Sequence, residues 1–321
     1  MAKSRSEMRS GSHKQPKKRK KGPKIALLIL VVLIAVFGLF IWKVYSDVTG
    51  TTEKIYKGVE TEEVRKKPVN IDKSEAFSIL MLGVDTGDLG RTEQGRSDTI
   101  MVMTVNPKTN ESKIVSIPRD TYTEIVGKGT MDKINHAYAF GGTSMSMNTV
   151  QKLLDIPIDY YVEVNMQGIQ DIVDAVGGIQ VTSPLSFTTE GYTFTEGQTE
   201  TLDGAAALAY SRMRYEDPNG DYGRQGRQRQ VLEAIVKKVA TFSTITNYQS
   251  VLGTMENNMK TNLAFSDMMD IFSKYRSAAG NIEQIQLEGT GVMMNGVSYQ
   301  QIDPAELARV STLLKQQLEL E

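Results

Sequence analysis

Five arginines crowd into RMRYEDPNGDYGRQGRQR, at positions 212, 214, 224, 227 and 229. Guanidinium forks match phosphate oxygens bidentately, so arginines converging on one place point to phosphate recognition. Helical spacing puts Arg224, Arg227 and Gln228 on one face at i, i+3 and i+4, with Arg229 turned away and expected to be dispensable. Arg212 and Arg214 end the preceding helix, and a loop holding Pro218 and Gly220 can fold them back toward the same place. An ordinary salt-bridged surface would account for any one of these arginines. It accounts poorly for the group.

A second constellation is GVDTGDLGRTEQGRSDT (83–99), a glycine-rich loop directly after an apolar run, carrying Asp85, Asp88 and Asp98. Loops at strand ends are where α/β sheets place ligands. Two carboxylates at adjacent strand ends suit magnesium, which takes one or two carboxylates plus substrate phosphates. The bland account of this loop is a turn rich in Asp and Gly. SIPRDT (116–121) adds Arg119 and Asp120, and KINHAYAFGG (133–142) adds Lys133, Asn135 and His136. His136 reads as a packed polar residue rather than a catalyst.

The composition removes whole classes of chemistry. With no cysteine, disulfides, thiolate metal sites and cysteine nucleophiles are excluded. His13 and His136 are the two histidines, too few for a histidine-cluster zinc site. There is no GxxxxGK[ST] loop, HExxH, GxSxG elbow or complete GxGxxG.

The elements that must position these residues follow from patterning. FSILMLGV (77–84) is a buried strand, and DTIMVMTVN (98–106) and SKIVSIP (112–118) form a hairpin around Pro107–Asn110. A helix is predicted at 143–156, a strand at 159–166, a helix at 166–178 and a strand at 179–183. Helices follow at 202–212, roughly 224–243, 247–259, 266–279 and 304–320, with strand IEQIQL (282–287) before the last. This alternation predicts an α/β fold, an α-β-α sandwich with helices on both faces of a central mixed sheet.

The net charge of −1 averages two unlike pieces. Residues 1–24 hold ten Lys and Arg against one Glu; the rest holds 27 basic and 37 acidic residues. Between them, IALLILVVLIAVFGLFIW (25–42) is eighteen apolar residues bordered by Lys24 and Lys43. As a helix it spans about 27 Å, close to the roughly 30 Å hydrocarbon core, and it lacks the small-residue cleavage site of a signal peptide. The expected organisation is a basic cytoplasmic tail (1–24), a transmembrane helix (25–42), a polar stalk (43–76) and a folded domain (77–321). The positive-inside rule places the amino terminus in the cytoplasm and the domain outside, making this a single-pass protein of the cell membrane.

Taken in order and spacing, GVDT, RSDT, SIPRDT, KINHAYAFGG, LDGAAALAYSRMR and GDYGRQGRQRQ resemble the LytR-CpsA-Psr family, from about Phe77 through the long helix and more weakly to the carboxyl end. The likeness is greatest to the Gram-positive enzymes that attach wall teichoic acid to peptidoglycan. The resemblance implies a magnesium-dependent phosphotransferase, with manganese as a substitute, acting on a glycopolymer linked to polyprenyl diphosphate. It carries Asp85 and Asp98 onto the family's metal-binding aspartates. Arg119, Arg212, Arg214 and Arg224 match its pyrophosphate-contacting arginines, and Gln228 the glutamine near them. Lys133, Asn135 and Arg227 match less defined pocket positions, and Asp221 precedes Arg224 where it can orient that arginine. The family's lipid tail lies in an apolar tunnel between sheet and helices, with which the Met-rich segments are compatible.

Physical chemistry agrees with that activity. An acceptor hydroxyl of peptidoglycan attacks the phosphorus bonded to the polymer's linking sugar, and polyprenyl phosphate leaves. The diphosphate bond supplies the driving force outside the cell. Arginines and magnesium would stabilise the developing charge, so catalytic weight is expected on Asp85, Asp98, Arg119 and Arg224. Either aspartate could also take the hydroxyl proton, and water in place of the sugar would make a pyrophosphatase. The competing reading is a non-catalytic polyprenyl-phosphate-binding or regulatory membrane protein. A DNA-binding role is disfavoured, because a basic tail of 24 residues is too little for base readout and an outward arginine cluster cannot reach DNA.

Overall fold

The computed structural model describes residues 42, 43, 45–62, 64, 65, 67–85, 95–241 and 248–320. The expected membrane helix lies outside these residues apart from its last position, and so does Asp88. Among the described residues no helix is long and apolar enough to cross a membrane. The chain divides into two compact units, Met1–Ser46 and Asp47–Glu321, and the second holds the whole α/β architecture.

Its first strands are β1 (Phe77–Val84), β2 (Ser97–Asn106), β3 (Glu111–Ser116), the small hairpin β4 (Tyr122–Ile125) and β5 (Thr130–Lys133), and β6 (Tyr160–Asn165). Next come β7 (Ile179–Thr182), β8 (Phe187–Thr189), β9 (Tyr192–Phe194), β10 (Thr199–Leu202), β11 (Met259–Thr261), β12 (Ile282–Gln286), β13 (Gly289–Met294) and β14 (Val297–Ile302). Six of them make the central sheet in the order β11-β6-β1-β2-β3-β12. Strand β1 runs parallel to β6, and β12 parallel to β3, while the other pairs are antiparallel. The predicted mixed sheet is therefore present.

After a helical stretch over residues 45–55, the helices are α1 (His136–Leu154), α2 (Met166–Ala175), α3 (Gly204–Arg212), α4 (Asp221–Thr241), α5 (Tyr248–Asn258), α6 (Phe265–Lys274) and α7 (Pro304–Gln317). The alternation of side chains along β1 and β2 builds two cores. Leu80, Leu82, Ile100 and Val102 face Met147 and Val150 of α1 and Val310 and Leu314 of α7. Phe77, Met101, Met103 and Val105 point the other way, where Leu232 and Val236 of α4 and Ile271 of α6 cover them. A third cluster joins α2, α3 and α4 to β7, β8 and β9 through Phe187, Phe194 and Tyr210.

Three features differ from the sequence expectation. Helix α1 begins at His136 rather than 143, and non-helical backbone at Gly141 and Gly142 kinks it, with Gly142 at φ 63°. Strand β7 pairs with β10 in a separate two-stranded sheet, because that segment closes the third cluster rather than extending the main sheet. The segment expected as a polar stalk is stitched to the domain. Ile55 and Ile71 are buried, Arg65 pairs with Asp159 at 2.6 Å, and Lys57 N–H donates to Thr261 O at 2.8 Å. Its few apolar residues are too widely spaced to give a periodic signal, yet Ile55 and Ile71 find core positions.

Candidate active site

The site gathers at the carboxyl end of β1. Backbone pairing runs Gly83↔Thr99 and then Val84↔Ser97, so Asp98 is the extra residue of a β-bulge. A bulge re-aims the side chain it carries, and here the carboxylate reaches across to the next strand's exit. Its Oδ1 lies 2.7 Å from Arg119 Nη1, just beyond β3. Asp85 follows β1 directly; its N–H donates to Arg96 O at 3.3 Å and its Oδ1 accepts from Arg96 N–H at 2.6 Å. The two expected metal-binding aspartates thus lie at the ends of paired strands.

Arg119 heads a chain of charges. Its Nε is 4.0 Å from Asp120, whose other oxygen lies 2.7 Å from Lys133 Nζ. Burial works to lower the Arg119 pKa, but Asp98, followed by Asp120 and Asp221, outweighs it and the net shift is upward. Asn135 is buried, donates its N–H to Arg119 O at 3.2 Å, and leaves its side-chain Oδ1 without a partner. Next to it, His136 Nδ1 lies 2.7 Å from Asp132 Oδ2, and the ring packs edge-on against Phe140.

Helix α4 contributes the second half. In its first turn Asp221 Oδ1 lies 2.6 Å from Arg224 Nη2 and 3.9 Å from Arg214 Nε. Asp221 Oδ2 accepts from Gln225, and Gln225 in turn accepts from Gln286 of β12, both at 2.8 Å. Burial lowers the Arg224 pKa, opposed by Asp221 and reinforced by the neighbouring charges of Arg119 and Arg214. That mutual influence places the three arginines in one electrostatic cluster. Arg224 Nε is buried and has no partner, an unengaged donor in the site. Arg212 is half exposed, 3.8 Å from Glu190.

Asp98, Arg119, Asp221, Gln225 and Gln228 close around a polar crevice with no room for a water, and its walls at Thr99, Met101 and Gln228 are shared with a larger cavity. That cavity, about 220 Å³, runs between the sheet and α2, α4 and the end of α3, lined almost wholly by apolar side chains such as Met81, Val162, Ile172 and Ile235. Arg212 and Ser211 stand at its edge. Gly83 matters here, since a Cβ on it would meet Thr99 Cβ at 2.9 Å inside the cavity wall.

Two arginines do not sit where helical spacing suggested. Arg227 is wholly buried away from the recess. Its Nε donates to Tyr210 O at 3.1 Å, its Nη2 to Met213 O, and its Nη1 pairs with buried Asp217. Every arm is engaged at the end of α3, so this guanidinium is a clasp and not a phosphate ligand. Arg229 is only 8% exposed rather than solvated, held by Gln286 at 2.7 Å and Gln284 at 3.4 Å. Burial without a carboxylate partner pushes its pKa down to about 10. The sequence reading missed Gln225, whose amide ties α4 to the sheet; glutamine carries no charge pattern that would have drawn notice.

The donors suit a hard divalent cation. Asp85 and Asp98 offer carboxylate oxygen, and among the described residues no group of three or more His, Cys, Asp and Glu gathers. A pair that leaves most positions to water and phosphate is what magnesium favours.

Comparison with known proteins extends the picture. The profile of the LytR_cpsA_psr family matches residues 39–316. The polyisoprenyl-teichoic acid–peptidoglycan teichoic acid transferase TagU of Enterococcus faecalis is 53% identical over 302 residues, 93% of this chain and 98% of that protein. The enzyme of the same name in Bacillus subtilis is 47% identical over 305 residues, covering 94% and 98%. A solved structure described as TagT bound to LIIa-WTA superposes with a TM-score of 0.69 at 34% identity, over 81% of this chain and 97% of that one.

Proposed function

The chain belongs to the LytR_cpsA_psr family, and on that premise we propose that it moves wall teichoic acid from a polyprenyl-diphosphate carrier to a hydroxyl of peptidoglycan, releasing polyprenyl phosphate. The observation that carries this reading is the shared wall at Thr99, Met101 and Gln228. An apolar cavity on one side and an arginine cluster on the other fit a substrate that is a lipid at one end and a diphosphate at the other. Curated relatives named for this reaction support it over nearly their whole length.

Each residue then has a task. Arg119, Arg214 and Arg224 bind the diphosphate, Arg212 contacts it at the cavity's edge, and Gln228 holds the junction of lipid and phosphate. Lys133 and Asn135 shape the recess behind Arg119. Asp221 orients Arg224 through their 2.6 Å contact. The acceptor oxygen forms the new bond to phosphorus while the bond from that phosphorus to the bridging oxygen breaks. The hydroxyl proton passes to a carboxylate at the strand ends, and the leaving polyprenyl phosphate carries the developed charge. Preorganised guanidinium groups stabilise that charge without reorganising at the moment of reaction. Asp85 and Asp98 would hold magnesium, or manganese in its place, which when bound supplies charge neutralisation at the diphosphate oxygens.

The protein works at the outer face of the cell membrane in this account, anchored by residues 25–42 with the basic tail inside. Native mass spectrometry of the full chain with polyprenyl monophosphate tests the premise. One lipid bound per chain is expected, and no retention at all would remove the cavity from the account.

A further inference from the structure

The loop between α3 and α4 borders two sites. Arg214 belongs to the arginine cluster, 3.9 Å from Asp221. Asp217, Pro218 and Asn219 instead line a second cavity of about 300 Å³, together with Gly223 and Gly226 of α4 and Leu185 of the β7–β8 connection. This space shares no lining residue with the apolar cavity or with the polar crevice.

Its wall has a chemistry of its own. The charged side chains in it are Asp217 and Arg227, and they pair with each other. The other polar side chains are amides. Gln230 accepts from Tyr210 OH at 2.5 Å and donates to Thr182 O at 3.4 Å, while Gln284 accepts from Arg229 Nε at 3.4 Å and donates to Glu233. Those bonds fix both side chains, yet leave each amide one N–H and one oxygen lone pair to offer. Asn219 adds an exposed amide, its backbone N–H held by Asp217 Oδ1 at 2.8 Å. Pro184, Leu185 and Pro218 supply apolar wall beside them. Fixed amides, small apolar surfaces and no uncompensated charge suit a ligand with hydroxyl and acetamido groups around apolar ring faces. A phosphodiester polymer would call for cations that this wall does not offer.

The loop also sets the distance to the chemistry. Asn219 precedes Asp221 by two residues, so at most about 7 Å separates their backbones. Asp221 Oδ1 in turn lies 2.6 Å from Arg224 Nη2. A sugar chain seated in the cavity and leaving it past Asn219 arrives directly at the arginines.

We propose that this cavity seats the acceptor, a stretch of N-acetylated glycan, and that the next sugar along presents its hydroxyl to the phosphorus held by Arg214 and Arg224. The identity of the acceptor as peptidoglycan rests on the function proposed above; the class of ligand rests on the wall.

Gly226→Leu and Asn219→Ala test the site. A Cβ at 226 meets only Arg229 Nη2, at 3.8 Å, and leucine is favoured over glycine inside a helix, so Gly226→Leu should fold and fill the cavity from α4. Asn219→Ala removes one exposed amide and keeps the test open if Gly226→Leu melts early. Full-length protein in nanodiscs is titrated calorimetrically with a soluble peptidoglycan tetrasaccharide. Saturable binding is expected, weakened at least tenfold by Gly226→Leu and about fivefold by Asn219→Ala. In transfer assays KM for the glycan should rise by similar factors, while retention of polyprenyl monophosphate in native mass spectra stays unchanged. Undiminished glycan binding in both variants would overturn the site, as would no glycan binding by the unaltered protein. An oligomeric polyol phosphate whose binding Gly226→Leu abolishes, with the tetrasaccharide unaffected, would overturn it by assigning the cavity to the polymer. Glycan binding that both variants weaken, with no transfer by the unaltered protein, would sink the functional reading and leave the sugar site standing. Normal transfer with an unchanged glycan KM in both variants would do the reverse.

Discussion

Arg119 Nη1 lies 2.7 Å from Asp98 Oδ1, so a guanidinium and a carboxylate assigned to the same diphosphate are already paired with each other. Both side chains keep about a quarter of their surface in water, so the pair adds less than about 1 kcal/mol to stability. Arrival of metal and diphosphate would exchange that contact for two stronger ones. Asp98→Ala and Arg119→Ala should each reduce transfer by about 10²–10³, or roughly 3–4 kcal/mol. Melting curves of both variants should stay within about 4 °C of the unaltered protein. Normal transfer by Asp98→Ala would remove the proposed metal site.

Arg227 and Arg224 separate structure from chemistry on one helix. Arg227→Ala strands a fully buried Asp217 carboxylate, a change that typically costs about 3–5 kcal/mol. The expected midpoint drop is roughly 10 °C, and Arg227→Lys should not rescue it, because one ammonium cannot span Tyr210 O, Met213 O and Asp217 as the fork does. Arg224→Ala should melt nearly normally and lose most transfer. Thermal unfolding beside a transfer assay checks both, and equal melting of the two variants would contradict the clasp.

Helical periodicity could place Arg224 and Gln228 together but could not fix which way their helix is rotated. Arg227, one residue before Gln228, turns instead toward Tyr210 and Met213, because α4 is packed on two sides and not one. Arg229 shows the same limit: helical spacing turns it away from Gln228 and so sets it aside, yet β12 supplies two glutamines to it. The strands were legible where both faces are buried, as in β1, whose predicted and observed limits coincide at 77–84. The segment 47–76 was not, since Ile55 and Ile71 sit alone among polar residues. The aspartates were legible as a pair, but the bulge that isolates Asp98 between Ser97 and Thr99 depends on pairing with β1 that no local pattern encodes.

Arg229→Met follows from that correction. The change removes a buried cation without a carboxylate partner while keeping most of the volume, and such exchanges are often neutral in stability. Transfer should remain within about twofold of normal, since no reacting group is touched, with a midpoint shift equivalent to less than about 1.5 kcal/mol. A loss as large as that of Arg224→Ala would place Arg229 in the chemistry after all.

Ile172→Trp tests the cavity. The larger ring would occupy part of the roughly 220 Å³ space that Ile172 lines, so KM for a long polyprenyl donor should rise at least tenfold, about 1.4 kcal/mol, with kcat little changed. A short-chain donor should be handled almost normally. Equal effects on the two donors would mean the lipid tail lies elsewhere.

The central claim is group transfer itself. Purified full-length protein in nanodiscs, given polyprenyl-diphosphate-linked teichoic acid, glycan strands and magnesium, should attach polymer to the glycan and release one polyprenyl phosphate for each polymer transferred, with the reaction stopping on chelation and resuming on added metal. Polymer that stays on its carrier under these conditions, or that is released without reaching the glycan, would contradict the account.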